Sequence, residues 1–308
     1  MEGGSSRAYD SHILTKDQVL RQKTFGLFIR KHYTQYNQLA KEDPMKIDWR
    51  TQKFNGANAE MLGKAASLAY AADDASIIQT AKSWKMELIR SFSLKETQAY
   101  IVGDNDTWIL AFRGTEPKKV LDWITDLDAK LINGPGGKVH EGFFVALSYV
   151  WPEIWKTLKE ERQFRSLWVT GHSLGGALAT LAVAKLRQER GHPVNGLYTF
   201  GQPRVGDEEF AIHFNQDFGI YTYRFVNNND VVPRVPTRLM NYRDTGIFKY
   251  FDQYGKIDDK MSWDQILLKR LAERIEDILG LDDFKDHEMA NYLRNLGWLV
   301  NPKLPRAR

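Results

Sequence analysis

The chain has 308 residues, 43% of them hydrophobic, and no cysteine. That is enough to bury one large core or two modest ones, and it excludes any disulfide framework. The net charge of +4 is slight and excludes a dedicated nucleic-acid binder, which would cluster Lys and Arg; no apolar run approaches the ~20 residues needed to span a bilayer.

In chain order, residues 1–15 are polar and read as a disordered tail, and residues 16–308 as one domain with an N-terminal helical arm. The arm is Gln18–Gln38, where Phe25, Leu27, Phe28 and Tyr33 form an imperfect apolar stripe. An Ala-rich helix is expected over Ala57–Ala71. Met86–Phe92, Glu96–Val102 and Thr107–Phe112 read as a meander of strands, with Gly103–Asp106 as the last turn. A helix over Gly142–Glu160 precedes a strand at Leu167–Thr170 and an Ala- and Leu-rich helix. Then come a strand at Gly196–Phe200, a helix at Asp207–Gln216 and a strand at Ile220–Val226. Gly246–Tyr254 fits a late hairpin or an irregular loop. Strands alternating with helices through Ser91–Val226 favour a single α/β sheet.

Met1–Asp10 holds no apolar core of a secretory signal, and the lack of cysteine leans towards a reducing compartment or a bacterial source. The expectation is therefore cytoplasmic, with secretion as the alternative if a leader has been removed. No metal-ligand spacing or phosphate loop is present. Asp258-Asp259 and Asp282-Asp283 read as helix-start or loop charges rather than a calcium site.

The most informative stretch is Leu167–Thr180, LWVTGHSLGGALAT. An apolar strand runs into Gly171-His172-Ser173-Leu174-Gly175 and then a helix, the context of a nucleophile elbow. Such a turn is expected to lift Ser173 into a strained, exposed position above the strand. Side chains at the flanking glycines would collide with the neighbouring strand and helix. The free N–H groups of the following helix can stabilise an oxyanion.

A serine nucleophile needs a base, and the base an orienting acid. In α/β-hydrolases they follow in the order Ser, Asp or Glu, His. Three histidines lie downstream of Ser173. His192 sits in a turn past the nucleophile helix, at the far edge of the sheet, and His213 in a helix where a solvated or packed role is expected. His287, last in the chain, is the best base. Asp230 is the first acid past the Ile220–Val226 strand, at the end where α/β sheets place their sites; the preceding run of asparagines also allows it to be a turn former. Asp217 precedes that strand, and Asp244 lies farther along the loop.

Several ordered segments resemble the class 3 lipases, the family of the fungal triacylglycerol lipases. They are Ala111–Thr115 (AFRGT), Asp122–Leu127 (DWITDL), Val139–Phe143 (VHEGF), Thr170–Gly176 (TGHSLGG), Thr199–Gly206 (TFGQPRVG), Asn229–Pro233 (NDVVP) and the segment around His287. The resemblance implies an α/β-hydrolase fold with a mostly parallel central sheet flanked by helices. It implies Ser173 as nucleophile, Asp230 as acid and His287 as base. It also implies Thr115 and Leu174 as the oxyanion-hole residues, Thr115 with its hydroxyl as well as its N–H. Thr115 could equally cap the next helix, and both roles can hold together.

The expected activity is hydrolysis of carboxylic esters, acylglycerols first, with no cofactor and no metal. The expected partners are a lipid ester and a transient lipid surface. A phospholipase A1 or galactolipid acyl hydrolase, a feruloyl-type esterase and a non-catalytic lipase-like binder are the alternatives. Two segments bear on specificity. In Glu116–Leu127, Val120, Trp123, Ile124 and Leu127 share one face, which fits a lid over the site and equally a fixed helix packed on the core. Ser262–Leu279 is an amphipathic helix with a capping-box pair at Ser262 and Gln265, suited to covering the core, walling an acyl groove or touching a membrane.

Overall fold

The computed structural model describes residues 47–71, 73–116, 120, 128–161, 165–188, 193–258, 286–301 and 304, all within the unit Met45–Arg308. The expected tail and arm, most of Glu116–Leu127, the helix Ser262–Leu279 and His192 lie outside the described residues.

The elements run α1 (Gly56–Leu68), α2 (Asp74–Ser83), β1 (Glu87–Leu94), β2 (Thr97–Gly103), β3 (Thr107–Phe112), β4 (Leu131–Gly134), β5 (Gly137–His140), α3 (Glu141–Glu161), β6 (Ser166–His172), α4 (Leu174–Gln188), β7 (Gly196–Phe200), α5 (Glu208–Phe218), β8 (Thr222–Asn227), β9 (Ile247–Phe251), β10 (Ile257–Asp258) and α6 (Met289–Val300). One sheet has the strand order β1-β2-β3-β6-β7-β8-β9-β10, and β4 and β5 form a separate hairpin. The pairings β3–β6, β6–β7, β7–β8 and β8–β9 are parallel; β1–β2, β2–β3 and β9–β10 are antiparallel.

The period-2 alternation of the strands splits the core into two layers. Leu110 and Phe112 of β3, with Leu167 and Val169 of β6, join the cluster that α3 and α4 cover. Ile109 and Ala111, with Trp168, Tyr198 and Phe200, face the other way into the cluster of α1 and α6. On α3, Phe143, Leu147, Val150, Ile154 and Leu158 are buried at helical spacing. Helix α4 is buried on nearly every side, as its small apolar residues allow.

Two differences from the expected elements have local causes. Helix α2 starts at an N-cap, Asp73, whose carboxylate accepts from Ser76 N at 2.8 Å; it buries only Ile77 and Ala81, too few for a visible stripe. Strand β8 begins at Thr222 because Gly219–Tyr221 forms a 3₁₀ turn, tied by Tyr221 Oη to Asp217 O at 2.6 Å. The late segment takes the hairpin form of the two expected: β9 extends the sheet in parallel beside β8 and then pairs with β10 at the edge.

Phe112 pairs in register with Gly171, His172 with Phe200, and Asn227 with Phe251. The turns that follow β3, β6, β7 and β8 therefore leave the same edge of the sheet, where open α/β sheets form their sites.

Candidate active site

At the end of β6 the backbone of Ser173 takes φ = +56°, the left-handed conformation a non-glycine residue rarely adopts. A Cβ on Gly171 would stand 2.2 Å from Gly175 O, and one on Gly175 would stand 2.3 Å from Phe112 O. The strand, the turn and α4 are that close, so the glycines are obligatory. Ser173 N donates to Phe200 O at 2.9 Å, which pins the elbow to the neighbouring strand.

The expectation that Ser173 is exposed is corrected. Its relative exposure is 1%, and Oγ is buried without a hydrogen-bond partner. The elbow raises the residue above its own strand, but neighbouring turns then pack around it. One of them is Arg113–Thr115. A Cβ on Gly114 would lie 3.1 Å from Ser173 Cβ and 2.4 Å from His172 O. Arg113 anchors this turn through Gln98 Oε1 at 2.6 Å and Glu116 at 3.1 Å. Thr115 follows it, half-buried. Whether Thr115 also caps a helix concerns residues 117–119, outside the described residues.

Asp230 leaves the loop after β8 and is completely buried. His287 Nδ1 lies 2.9 Å from its Oδ2 and 3.0 Å from its Oδ1. A carboxylate only accepts, so Nδ1 carries the proton and Nε2 keeps the lone pair. Asp230 also accepts from Val232 N at 2.9 Å and from Tyr292 Oη at 2.6 Å. The Tyr292 hydroxyl in turn accepts from Asn227 N at 2.9 Å; burial and then the Asp230 charge raise its pKa well above the ordinary value. His287 Nε2 is buried without a partner, as Ser173 Oγ is. An unsatisfied buried polar atom costs about 1–3 kcal/mol, and such exceptions call for a functional account.

The asparagine run does more than turn the chain. Asn227 Nδ2 donates to Asp286 O at 2.9 Å, while Asn228 Nδ2 and Asn229 N reach Asp286 Oδ2 at 2.9 and 3.0 Å. Asp286 precedes His287, so the loop that carries Asp230 holds the segment that carries the imidazole. Gly201, after β7 with φ = +59°, completes the cluster: a Cβ there would stand 2.8 Å from both Asp230 Oδ2 and His287 Nδ1.

The other named residues are placed elsewhere. Asp244 binds Arg204 and Arg238 at 3.0 Å and Arg224 at 3.3 Å. Burial alone would raise its pKa, but the guanidinium groups of Arg224, Arg204 and Arg238 hold it below the usual value. Asp217 pairs with Arg187 at 2.6 Å, and His213 Nδ1 lies 2.8 Å from Gly136 O. His140 is stacked on Phe143, with centroids 4.0 Å apart, and burial pushes its pKa down to about 4. Among the described residues, no cluster of His, Asp and Glu is placed to hold a metal ion, and no helix is long and apolar enough to cross a membrane.

Sequence reasoning missed Tyr292 and Tyr70 because neither lies in a motif, and passed over His172 although it stands inside one. His172 Nδ1 is 2.8 Å from Tyr70 Oη and Nε2 is 2.7 Å from His287 O.

The sequence model of the family described as Lipase (class 3) matches residues 109–240, from within β3 to beyond Asp230. A triacylglycerol lipase of Arabidopsis thaliana, OBL1, is 29% identical over 62% of this chain and 48% of its own. The secreted mono- and diacylglycerol lipase 1 of Fusarium solani is 37% identical over 52% and 49%. The chain thus spans about half the length of these relatives. Among solved structures, the Rhizomucor miehei lipase propeptide complex superposes with a TM-score of 0.55 at 30% identity, covering 64% of this chain and 68% of that one.

Proposed function

Since this chain belongs to the class 3 lipase family of α/β-hydrolases, we propose that it hydrolyses carboxylic esters, acylglycerols foremost, through an acyl-enzyme on Ser173. The observation that carries this reading is the pair of buried, partnerless atoms, Ser173 Oγ and His287 Nε2. One sits on a left-handed elbow; the other belongs to an imidazole whose opposite nitrogen is held by Asp230.

In this mechanism Ser173 Oγ attacks the ester carbonyl while His287 Nε2 takes its proton. Asp230 holds the Nδ1–H tautomer and stabilises the imidazolium. The N–H groups of Thr115 and Leu174, with the Thr115 hydroxyl, receive the negative charge on the carbonyl oxygen. His287 returns the proton to the departing alcohol. It then draws one from water, which attacks the acyl-enzyme, and hands that proton to Ser173 Oγ as the fatty acid leaves. Ester and water are the only reactants, so the cycle calls for no cofactor.

The lipase names of the relatives support an acylglycerol substrate and a transient lipid-surface contact. Because one of them is named as a secreted enzyme, the cytoplasmic expectation gains no support, and the reading leaves it aside.

The test is fluorophosphonate labelling of the purified chain, followed by p-nitrophenyl esters of rising chain length, emulsified triolein and phosphatidylcholine. Labelling lost in Ser173→Ala, with turnover of triolein, is the expected result. Preferential turnover of phosphatidylcholine would move the assignment to a phospholipase A1. An unlabelled, inactive wild-type chain would overturn the hydrolase reading in favour of a binding protein.

A further inference from the structure

We propose that Tyr70 and His172 form a positioning relay that fixes the backbone at His287 and ties it to the Arg113–Thr115 turn; this rests on the reading of Ser173, Asp230 and His287 as a hydrolytic triad. The donors and acceptors can be assigned without ambiguity. The His287 carbonyl only accepts, so His172 Nε2 must carry the hydrogen in the 2.7 Å contact. Burial, followed by the neighbouring His287, pushes the His172 pKa down to about 3, so the ring is neutral and Nδ1 is left as an acceptor. The Tyr70 hydroxyl therefore donates to Nδ1 at 2.8 Å. Its oxygen abuts the Gly114 backbone, where a Cβ would stand 2.3 Å from it, and its ring lies 5.8 Å from the Arg113 guanidinium. Burial raises the Tyr70 pKa far from any working pH, which keeps that donor in place.

The chain of contacts runs from the Gly114 backbone through Tyr70 and His172 to His287 O. It begins one residue before Thr115 and ends on the backbone of the base. The His172 and His287 rings also pack at 4.6 Å between centroids with a 30° tilt. A neutral ring in that place does not oppose the positive charge that His287 gains during turnover. His172 lies on the residue before Ser173, so one side chain references the base to both the nucleophile and the oxyanion turn. Catalytic geometry is sensitive to displacements on the order of 1 Å, which can cost ~10²-fold in rate.

The experiment uses the full chain with Tyr70→Phe, His172→Leu and His172→Gln, assayed on p-nitrophenyl butyrate across pH, with thermal melts alongside. Tyr70→Phe and His172→Leu are expected to lower kcat by about 10- to 100-fold with KM changed less than about twofold. His172→Gln keeps a donor for the His287 carbonyl and is expected to recover most of that loss. In His172→Leu the acid limb of kcat/KM should move to lower pH, because a loosened Asp230–His287 bond supports the imidazolium less.

The relay is overturned if His172→Leu stays within about twofold of wild type in kcat. It is also overturned if His172→Leu and His172→Gln fall equally with an unmoved acid limb, the pattern of a merely structural residue. A wild-type chain that labels with fluorophosphonate and turns over, beside an indifferent His172→Leu, sinks the relay alone. A wild-type chain that does neither sinks the hydrolase reading and the relay with it.

Discussion

Asp244→Asn separates the two aspartates that follow β8 and gives each a different signature. The carboxylate of Asp244 is met by three guanidinium groups at 3.0–3.3 Å. Two of them are nearly out of solvent: the side chains of Arg204 and Arg224 are 7% and 3% exposed. The amide has no charge and turns a donor towards a donor. Breaking a buried pair from one side typically costs about 3–5 kcal/mol, because the partner charge is left uncompensated. Here two such partners remain, so the upper part of that range is expected in urea titrations at pH 7. At the ~2 °C per kcal/mol that suits a chain of this size, the thermal midpoint should fall by about 8–10 °C. The gap between wild type and variant should narrow in acid. The folded carboxyl is held below its ordinary pKa, so its contribution is complete above the unfolded value of ~3.9 and is lost as pH falls through the lower folded one. At a temperature where the variant is folded, kcat on p-nitrophenyl butyrate should stay within about threefold of wild type, since no contact of Asp230 or His287 is touched. A well-folded Asp244→Asn that has lost kcat by orders of magnitude, beside a mildly affected Asp230→Asn, would refute the choice of acid and the placement of the site after β8.

Ser173→Ala should lower kcat by several orders of magnitude while leaving the thermal midpoint unchanged or raised, because it deletes a buried hydroxyl that has no partner; a marked loss of stability would show that Oγ is satisfied in the resting protein. Asp230→Asn and His287→Ala should each be severely impaired on p-nitrophenyl butyrate, and neither should add to Ser173→Ala, since the three act as one unit; additive losses would mean that they do not. Val120→Asp puts a carboxylate where a buried valine stands, an unfavourable desolvation. If Glu116–Leu127 is a lid, triolein hydrolysis should fall far more than p-nitrophenyl butyrate hydrolysis, and equal losses would mark a fixed structural helix.

What was legible in the sequence was what short-range physics dictates. The elbow could be read because two glycines flank a residue that must take φ > 0, and the strands because a sheet covered on both faces demands short runs of apolar, aromatic and β-branched residues. Chain order and strand polarity then sufficed to choose His287 and Asp230. The hairpin Leu131–His140 escaped because each strand is four residues long, shorter than any periodic signal. The burial of Ser173 escaped because it depends on the turns packed over the elbow. Tyr70 and Tyr292 escaped because their hydroxyl partners lie 102 and 62 positions away in the chain. The asparagines were read as turn formers, which they are. That their amides also hold the segment bearing the base depends on where residue 286 lands, and local composition does not encode this.

The helix that brings up the base has a bearing on when the protein becomes active. Among the described residues, α6 is the last helix and α1 the first, and they cross so tightly that a Cβ on Gly63 would stand 2.8 Å from Leu296. His287 lies just before α6, ahead of its N-cap Glu288, and Tyr292 on α6 donates to Asp230. A chain emerging from the ribosome N-terminus first can complete β6, the elbow and the Asp230 loop while still lacking His287, the base proposed for Ser173. On the proposed mechanism, hydrolytic competence arrives only when α6 seats against a helix made more than two hundred residues earlier. The nascent protein would then be held inert by the order of its own synthesis.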